Sequence, residues 1–355
     1  MRVLGLVASI RNTSPGQRFR IEQWAPILRQ DGIEIDFAPF ESPLMHGILY
    51  QPGRVLQKVA SVLDGFRRRI SRVRGAGKYD AVYLFREAAL LGPAVFERWL
   101  DSMKIPIVYD FDDAIFVRYI SPANSYLSLL KFHGKTRTIC RISSHVMVGN
   151  AYLAAYARRY NSKVTIVPTT IDTDQYTVAD RRPPAIPTIG WTGSFSTMKH
   201  LSSIRNALRE VARRETVRLR IIGARSEEFE GLPVEFVPWR AESEVSDLRP
   251  IDIGLMPVPD DAWNRGKCGC KALQYMALAI PTICSPVGVN TEIIRDGENG
   301  FMASNDGEWI EKITRLLRST ELRKRLGAAG RRTVEEKYSA KVVAPVVAGI
   351  FKSLA

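Results

Sequence analysis

Short hydrophobic runs recur along the chain, separated by stretches whose apolar positions return at helical spacing. In the first half MRVLGLVAS, IEIDFAPF, DAVYLF, IPIVYDF, SHVMVGN and KVTIVP read as strands. Between the first two, Gly16 to Gly32 reads as a helix with Ile21, Trp24, Ile27 and Leu28 on one side, and AYLAAYARRY reads as another. Strands alternating with helices in this way predict βαβ units and a parallel sheet. The polar, proline-rich DTDQYTVADRRPPAIP interrupts the pattern. It then restarts with the strands PTIGWTG, VRLRIIGA, VEFVPW, IDIGLMPV and IPTIC (280–284) and the helix KHLSSIRNALREVARR. Two consecutive α/β domains facing a central cleft are expected: 1–176, a linker at 177–186, and 187–340. Sheets of this kind bind ligands beyond the carboxyl ends of their strands.

A chain of 355 residues suits two such domains. No run approaches the ~20 apolar residues of a membrane span. The opening MRVLGLVAS reads as a buried first strand rather than a secretory leader. Cys140, Cys268, Cys270 and Cys284 are sparse, and the C-x-C pair has no second pair or nearby histidine. Zinc is therefore not expected, and small buried thiols in a reducing cytoplasm are.

Charge changes the picture. The formal net charge of +14 invites a polyanion: nucleic acid, an anionic membrane, or a phosphate-bearing substrate. No nucleic-acid recognition motif is present, so nucleic acid is not expected. Arg54, Lys58, Arg67, Arg68, Arg69, Arg72, Arg74 and Lys78 crowd one segment whose single acid is Asp64. The same segment repeats Val55, Leu56, Val59, Val62, Leu63, Phe66, Ile70 and Val73. An interfacial helix on an anionic membrane and an ordinary surface helix with a basic face both fit 54–78.

Phosphate chemistry is written most densely into Lys267 to Gly300, KCGCKALQYMALAIPTICSPVGVNTEIIRDGENG. A helix opening at Gly269, flanked by Lys267 and Lys271, would aim free N–H groups and two ammonium groups at one spot. That spot suits a diphosphate.

This stretch resembles the donor-binding segment of the retaining glycosyltransferases of family 4, which have the GT-B fold. Gly269, Met276, Ala277, Pro281, Gly288, Glu292, Ile293, Ile294, Asp296, Gly297, Asn299, Gly300 and Phe301 fall on that family's pattern. The two glutamates of its Glu-x7-Glu motif are replaced, by Gly266 and Gln274. Val167, Pro168, Ile171, Asp172 and Tyr176 match its domain-boundary motif. Gly193, Ser194 and Lys199 match the loop whose lysine, with an arginine, grips the donor diphosphate. The arginine position falls at Trp191 or Thr192, so Arg265, Lys267 or Lys271 would stand in. The terminal KVVAPVVAGIFKSLA (341–355) resembles the helix that returns to the first domain.

The resemblance implies a nucleotide-sugar donor, UDP- or GDP-linked, with no metal and no other cofactor. Expected diphosphate contacts are Gly16, Gly193, Ser194, Lys199, Arg265, Lys267, Cys268, Gly269, Cys270 and Lys271. Gln274, Asn290 and Glu292 would meet the nucleoside or sugar. Arg18, Arg20 and His133 would face the acceptor, a glycan or lipid-linked molecule. Asp112 stands where the family has a histidine. Asp112 or Asp113 would accept the acceptor's hydroxyl proton, with a metal site or a helix cap as alternatives for YDFDDAIF. A cytoplasmic glycosyltransferase is the leading expectation. An inactive nucleotide-sugar binder or partner subunit is the alternative, motivated by the replaced glutamates and histidine.

Overall fold

The computed structural model describes residues 1–49, 51, 53–117, 132–179 and 184–354. Residues 180–183 of the expected linker lie outside them. The chain divides into two compact units, Met1–Thr169 with Val343–Ala355, and Thr170–Val342. The division falls ahead of the expected residue 176 for a local reason. Ile171 bridges Ser339, and Tyr176 is buried between Glu244 and Gln274, so these residues fold with the second unit.

The first unit is built on six strands: β1 (Arg2–Val7), β2 (Glu34–Pro39), β3 (Ala81–Phe85), β4 (Ile107–Phe111), β5 (His145–Val148) and β6 (Val164–Ile166). They pair in the order β2-β1-β3-β4-β5-β6, all parallel. Every residue of β3 and β4 is buried, as near-continuous apolar strands must be when helices cover both faces of a sheet. Strand order reverses between β1 and β3, so loops after those strands diverge at their carboxyl ends.

The second unit repeats the plan with β7 (Thr188–Thr192), β8 (Arg218–Ile222), β9 (Val234–Val237), β10 (Ile253–Met256), β11 (Thr282–Cys284) and β12 (Phe301–Met302). Their order is β12-β11-β10-β7-β8-β9, again parallel, with the reversal between β7 and β10. Its core includes Trp191, Leu219, Ile253, Ile283, Trp309 and Ile313.

Two expected helices differ from their patterns. The Gly16–Gly32 helix is broken: Pro15–Gln17, a loosely wound Arg18–Glu22, and Gln23–Gln30, with Arg20 at φ −130°, ψ −112°. The break swings the Arg20 side chain into the core, where it meets Asp110. The helix Val55–Arg74 buries Ser61, Gly65, Arg69 and Val73 and half-buries Val62, Phe66 and Ile70, but not the N-terminal part of its apolar stripe. Gly65 lies against the Phe40 ring, where an added Cβ would come within 2.8 Å. Arg69 donates to the carbonyls of Ala38 and Val7, both at 2.9 Å. These two contacts fix the helix's rotation and leave Val55, Leu56, Val59 and Leu63 facing water.

Candidate functional site

In the second unit, the loops that leave β7 and β10 flank the strand-order reversal. The loop after β7 turns at Gly193, where a Cβ would meet the Trp191 ring at 2.4 Å and Thr197 Oγ1 at 2.7 Å. Only glycine lets the backbone lie this close over the indole. Ser194 and Ser196 share a hydrogen bond of 2.9 Å between their hydroxyls on the exposed loop. Lys199 follows, exposed, and His200 beside it is buried.

Across the reversal, the chain after β10 passes Asp260, Asp261, Arg265 and Lys267 to reach the helix Cys270–Ala277. Gly269 caps that helix at φ +70°, and a Cβ there would sit 2.2 Å from Ile293 Cδ1 and 3.8 Å from Asn290 Oδ1. Positive φ and absent space make this glycine obligatory. Lys271, in the first turn, holds its ammonium 4.8 Å from the Trp191 ring centroid. Trp191 is one of the two positions, with Thr192, where the resemblance puts an arginine, and a lysine stacks on it.

Electrostatics show which of these groups share one space. Burial first, then repulsion by Lys271, Lys267 and Lys199, depress the His200 pKa to about 3, with Asp261 opposing. Burial first, and then Lys267, depress Lys271 to about 7. Lys199, Lys267 and Lys271 therefore all lie near enough to act on a neutral imidazole, with the Lys271 ammonium desolvated by burial, Lys267 half-buried and Lys199 exposed. Two buried polar atoms nearby, Trp191 Nε1 and Asn264 Oδ1, have no hydrogen-bond partner among the described residues. Orphaned polar atoms cost about 1–3 kcal/mol each unless water or a ligand completes them.

Other expected donor contacts are placed differently. Arg265 is half-exposed, with its guanidinium turned onto Asp260 at 2.6 and 3.0 Å. Cys268 is buried and directs its thiol to the Gly266 carbonyl, 3.6 Å away. Asn290 lies beside Gly269 and donates to the Ser285 carbonyl at 3.0 Å. Glu292 is exposed, and its charge acts on Tyr338. Gln274 is buried in a network no motif announced. Its Nε2 donates to Tyr176 Oη at 2.9 Å, Tyr176 donates to Glu244 at 2.6 Å, and Trp239 Nε1 donates to Glu244 at 2.8 Å. Cys270 Sγ stands 3.9 Å from Gln274 Oε1.

The first unit gathers a different constellation at the carboxyl ends of β1, β3 and β4. Arg86, just past β3 at φ +60°, donates to Asp112 at 2.7 Å and to Asp113 at 2.5 Å. Gly16 lies against this pair: a Cβ would come within 2.5 Å of Asp112 Oδ2 and 2.8 Å of the Arg86 guanidinium. The expected role of Gly16 as a diphosphate contact therefore has a structural counterpart, close packing on an ion pair. Asp112 and Asp113 are not an open carboxylate dyad, because one guanidinium bridges them. Arg86 carried no sequence signal beyond its place at the end of a strand.

Arg20 is not on the acceptor side. It is fully buried, donating to Asp110 at 2.8 and 2.6 Å and to the Val167 carbonyl at 2.7 Å, while Tyr83 donates to Asp110 at 2.6 Å. A guanidinium spent this way holds β4 to β6 and has little left for a ligand. Arg18 is partly exposed and stacks on Phe19, 5.2 Å from its centroid. His133 is partly exposed, with Nδ1 3.3 Å from the Ile115 carbonyl and Nε2 without a partner among the described residues.

Residues 186–319 match the family model described as Glycosyl transferases group 1. The chain is 35% identical over 82 residues to spore coat protein SA of Bacillus subtilis, 22% of each protein. It is 42% identical over 65 residues to the uncharacterized glycosyltransferase MJ1178 of Methanocaldococcus jannaschii, 18% of each. The chain thus covers about a fifth of the length of these curated relatives. Among solved structures, sucrose-phosphate synthase from Thermosynechococcus elongatus superposes with TM-score 0.72 at 16% identity, covering 100% of this chain and 99% of that one. Anabaena Alr3699/HepE in complex with UDP-glucose gives TM-score 0.72 at 15% identity, covering 99% and 100%. At such identities the likeness speaks to the fold, which is the GT-B architecture of two α/β units.

Proposed function

We propose that this chain is a glycosyltransferase that moves a sugar from a UDP- or GDP-linked donor to a glycan, lipid-linked or other cell-envelope acceptor, with retention at the anomeric carbon. It would work in the cytoplasm. One observation carries the reading: the Gly193 turn and the Gly269-capped helix meet at the β7/β10 reversal, where Lys271 stacks on Trp191 and acts with Lys199 and Lys267 on His200, within the stretch that matches the glycosyl transferase model. Breaking the glycosidic bond leaves a nucleoside diphosphate, and its growing negative charge would be stabilised by the Lys271 ammonium from its buried position and by Lys199 and Lys267 beside it. Neutralisation by side chains calls for no metal. Ser194 and the Gly193 backbone would approach the diphosphate on one side, and the amide groups from Cys268 to Cys270 on the other. Asn290 would meet the sugar, and Gln274, oriented through Tyr176, the nucleoside. The first unit would receive the acceptor near Arg18, Asp113 and His133.

A nucleotide-sugar binder without transfer is the second reading, favoured by the Gln274 network standing where the family has a glutamate. A thermal-shift screen of UDP, GDP, ADP and their sugars, followed by product analysis over an acceptor panel, separates the two. Stabilisation by one nucleotide series with sugar transfer supports the enzyme. Stabilisation without transfer or donor hydrolysis supports the binder. No stabilisation by any of them removes both.

A further inference from the structure

The N-terminal half of the helix Val55–Arg74 presents apolar side chains outward. Val55 is 59% exposed, Leu56 85%, Val59 53% and Leu63 59%, while further along the helix Gly65, Arg69 and Val73 are buried. The helix Pro43–Leu49, packed against it, adds Leu44 at 67%. Large aliphatic side chains on one helical face usually form core, and here they are left in water. Arg67 and Arg74 continue the side marked by Leu56 and Leu63, and both are exposed. Arg54 and Lys58 flank the first turn, and Lys78 lies just past the end. Acids are few: Asp64 is paired with Arg68 at 3.0 Å, and Asp36 takes up Arg72 at 3.4 Å.

We propose that this face docks on an anionic lipid bilayer, with Val55, Leu56, Val59 and Leu63 entering the headgroup boundary. Arg54, Lys58, Arg67 and Arg74 would lie on lipid phosphates. The charge arrangement selects this occupant. A second copy placed symmetrically on the stripe would set these cations against one another, whereas an anionic surface pairs with all of them while the leucines leave water. Among the described residues no helix is long and apolar enough to cross a membrane, so the contact is in the plane of the interface. The inference is independent of the transferase reading, because neither donor nor acceptor takes part.

Vesicle flotation of the full chain tests it, with phosphatidylglycerol against phosphatidylcholine vesicles. Binding to the anionic vesicles at low salt, and its loss at 1 M salt (a ~3 Å Debye length), is expected. Leu56→Gln with Leu63→Gln should lower the partition coefficient about ten- to a hundredfold, the scale of two leucines partly withdrawn from water. Arg67→Glu with Arg74→Glu should lower it at least about tenfold on anionic vesicles only. All four positions are exposed, and an unchanged circular-dichroism melt verifies the fold. No flotation at low salt overturns the proposal, as does partitioning that neither variant changes. A dimer seen by light scattering that the leucine variant dissolves also overturns it, since the stripe then belongs to a second copy.

Discussion

The two units place charge at equivalent positions, beyond the carboxyl ends of parallel strands, and treat it in opposite ways. Among the described residues of the first unit, opposite charges pair at those ends: Arg20 with Asp110, and Arg86 with Asp112 and Asp113. In the second unit like charges are brought together, Lys199, Lys267 and Lys271 around His200, at the cost of depressing both Lys271 and His200. An arrangement that balances its own charge can be explained by folding alone. One that sets like charges near one another works against folding, and a bound anion would offset that cost. The contrast separates a scaffold from a site without reference to any relative.

The sharpest way to break that contrast is Lys199→Ala. Lys199 is exposed, so stability should hold, while removal of one preorganised charge from a developing diphosphate should cut kcat/KM by about ten- to a thousandfold. Steady-state kinetics with the identified donor measures it. Near-normal turnover would mean that the lysine cluster does not face the leaving group.

The complementary change is Asp112→Asn in the first unit. If the Arg86 bridge is scaffold, the variant should lose about 1–2 kcal/mol, or a few degrees in Tm, while kcat stays within about tenfold. A fall in kcat of a hundredfold or more at unchanged Tm would restore Asp112 as the general base.

Lys271 offers a pH test of the same idea. With a pKa near 7 the free protein is only partly protonated there between about pH 7 and 8. A bound diphosphate favours the ammonium, so binding should take up a fraction of a proton, and affinity should weaken severalfold as pH rises above 7. Titration calorimetry of UDP or GDP in buffers of different ionisation enthalpy reads the uptake. It should disappear in Lys271→Met, and its absence from the parent protein would place Lys271 away from the ligand.

Much of this was legible because parallel sheets write themselves as apolar runs. All the strands named from the sequence formed within a few residues of their patterns, and only the two-residue β12 went unnamed. The glycine-bearing turns at Gly193 and Gly269 were legible too, since a missing side chain is a local demand. What stayed hidden depends on partners distant in sequence. Arg20 was read as a cleft residue because nothing local shows that Asp110 lies beneath it. The Val55–Arg74 helix was ambiguous because its rotation is set by Phe40 and by the carbonyls of Val7 and Ala38. His200 carries no signal in the sequence, because its depressed pKa comes from burial and from three lysines, two of them more than sixty positions away.

Gln274 sharpens the comparison at its finest point. Tyr176 gives its single hydroxyl proton to Glu244, so its oxygen can only accept from position 274, and an amide supplies that donor. Gln274→Glu would restore the residue of the family motif but put a second carboxylate on a hydroxyl whose proton is already committed. That carboxyl is buried beside Glu244, so its pKa in the folded state should rise above the ~4.3 of an unfolded glutamate. A raised acid pKa destabilises as pH rises: the unfolded chain releases its proton first, and the deficit opens above about pH 4.3. The variant should match the parent near pH 4 and melt one to a few degrees lower at pH 7, with no gain in donor affinity. Melting curves across that range, with and without nucleotide, decide it. A variant as stable as the parent at pH 7 would mean that Tyr176 can turn its proton to position 274, and that the amide is not what the network requires.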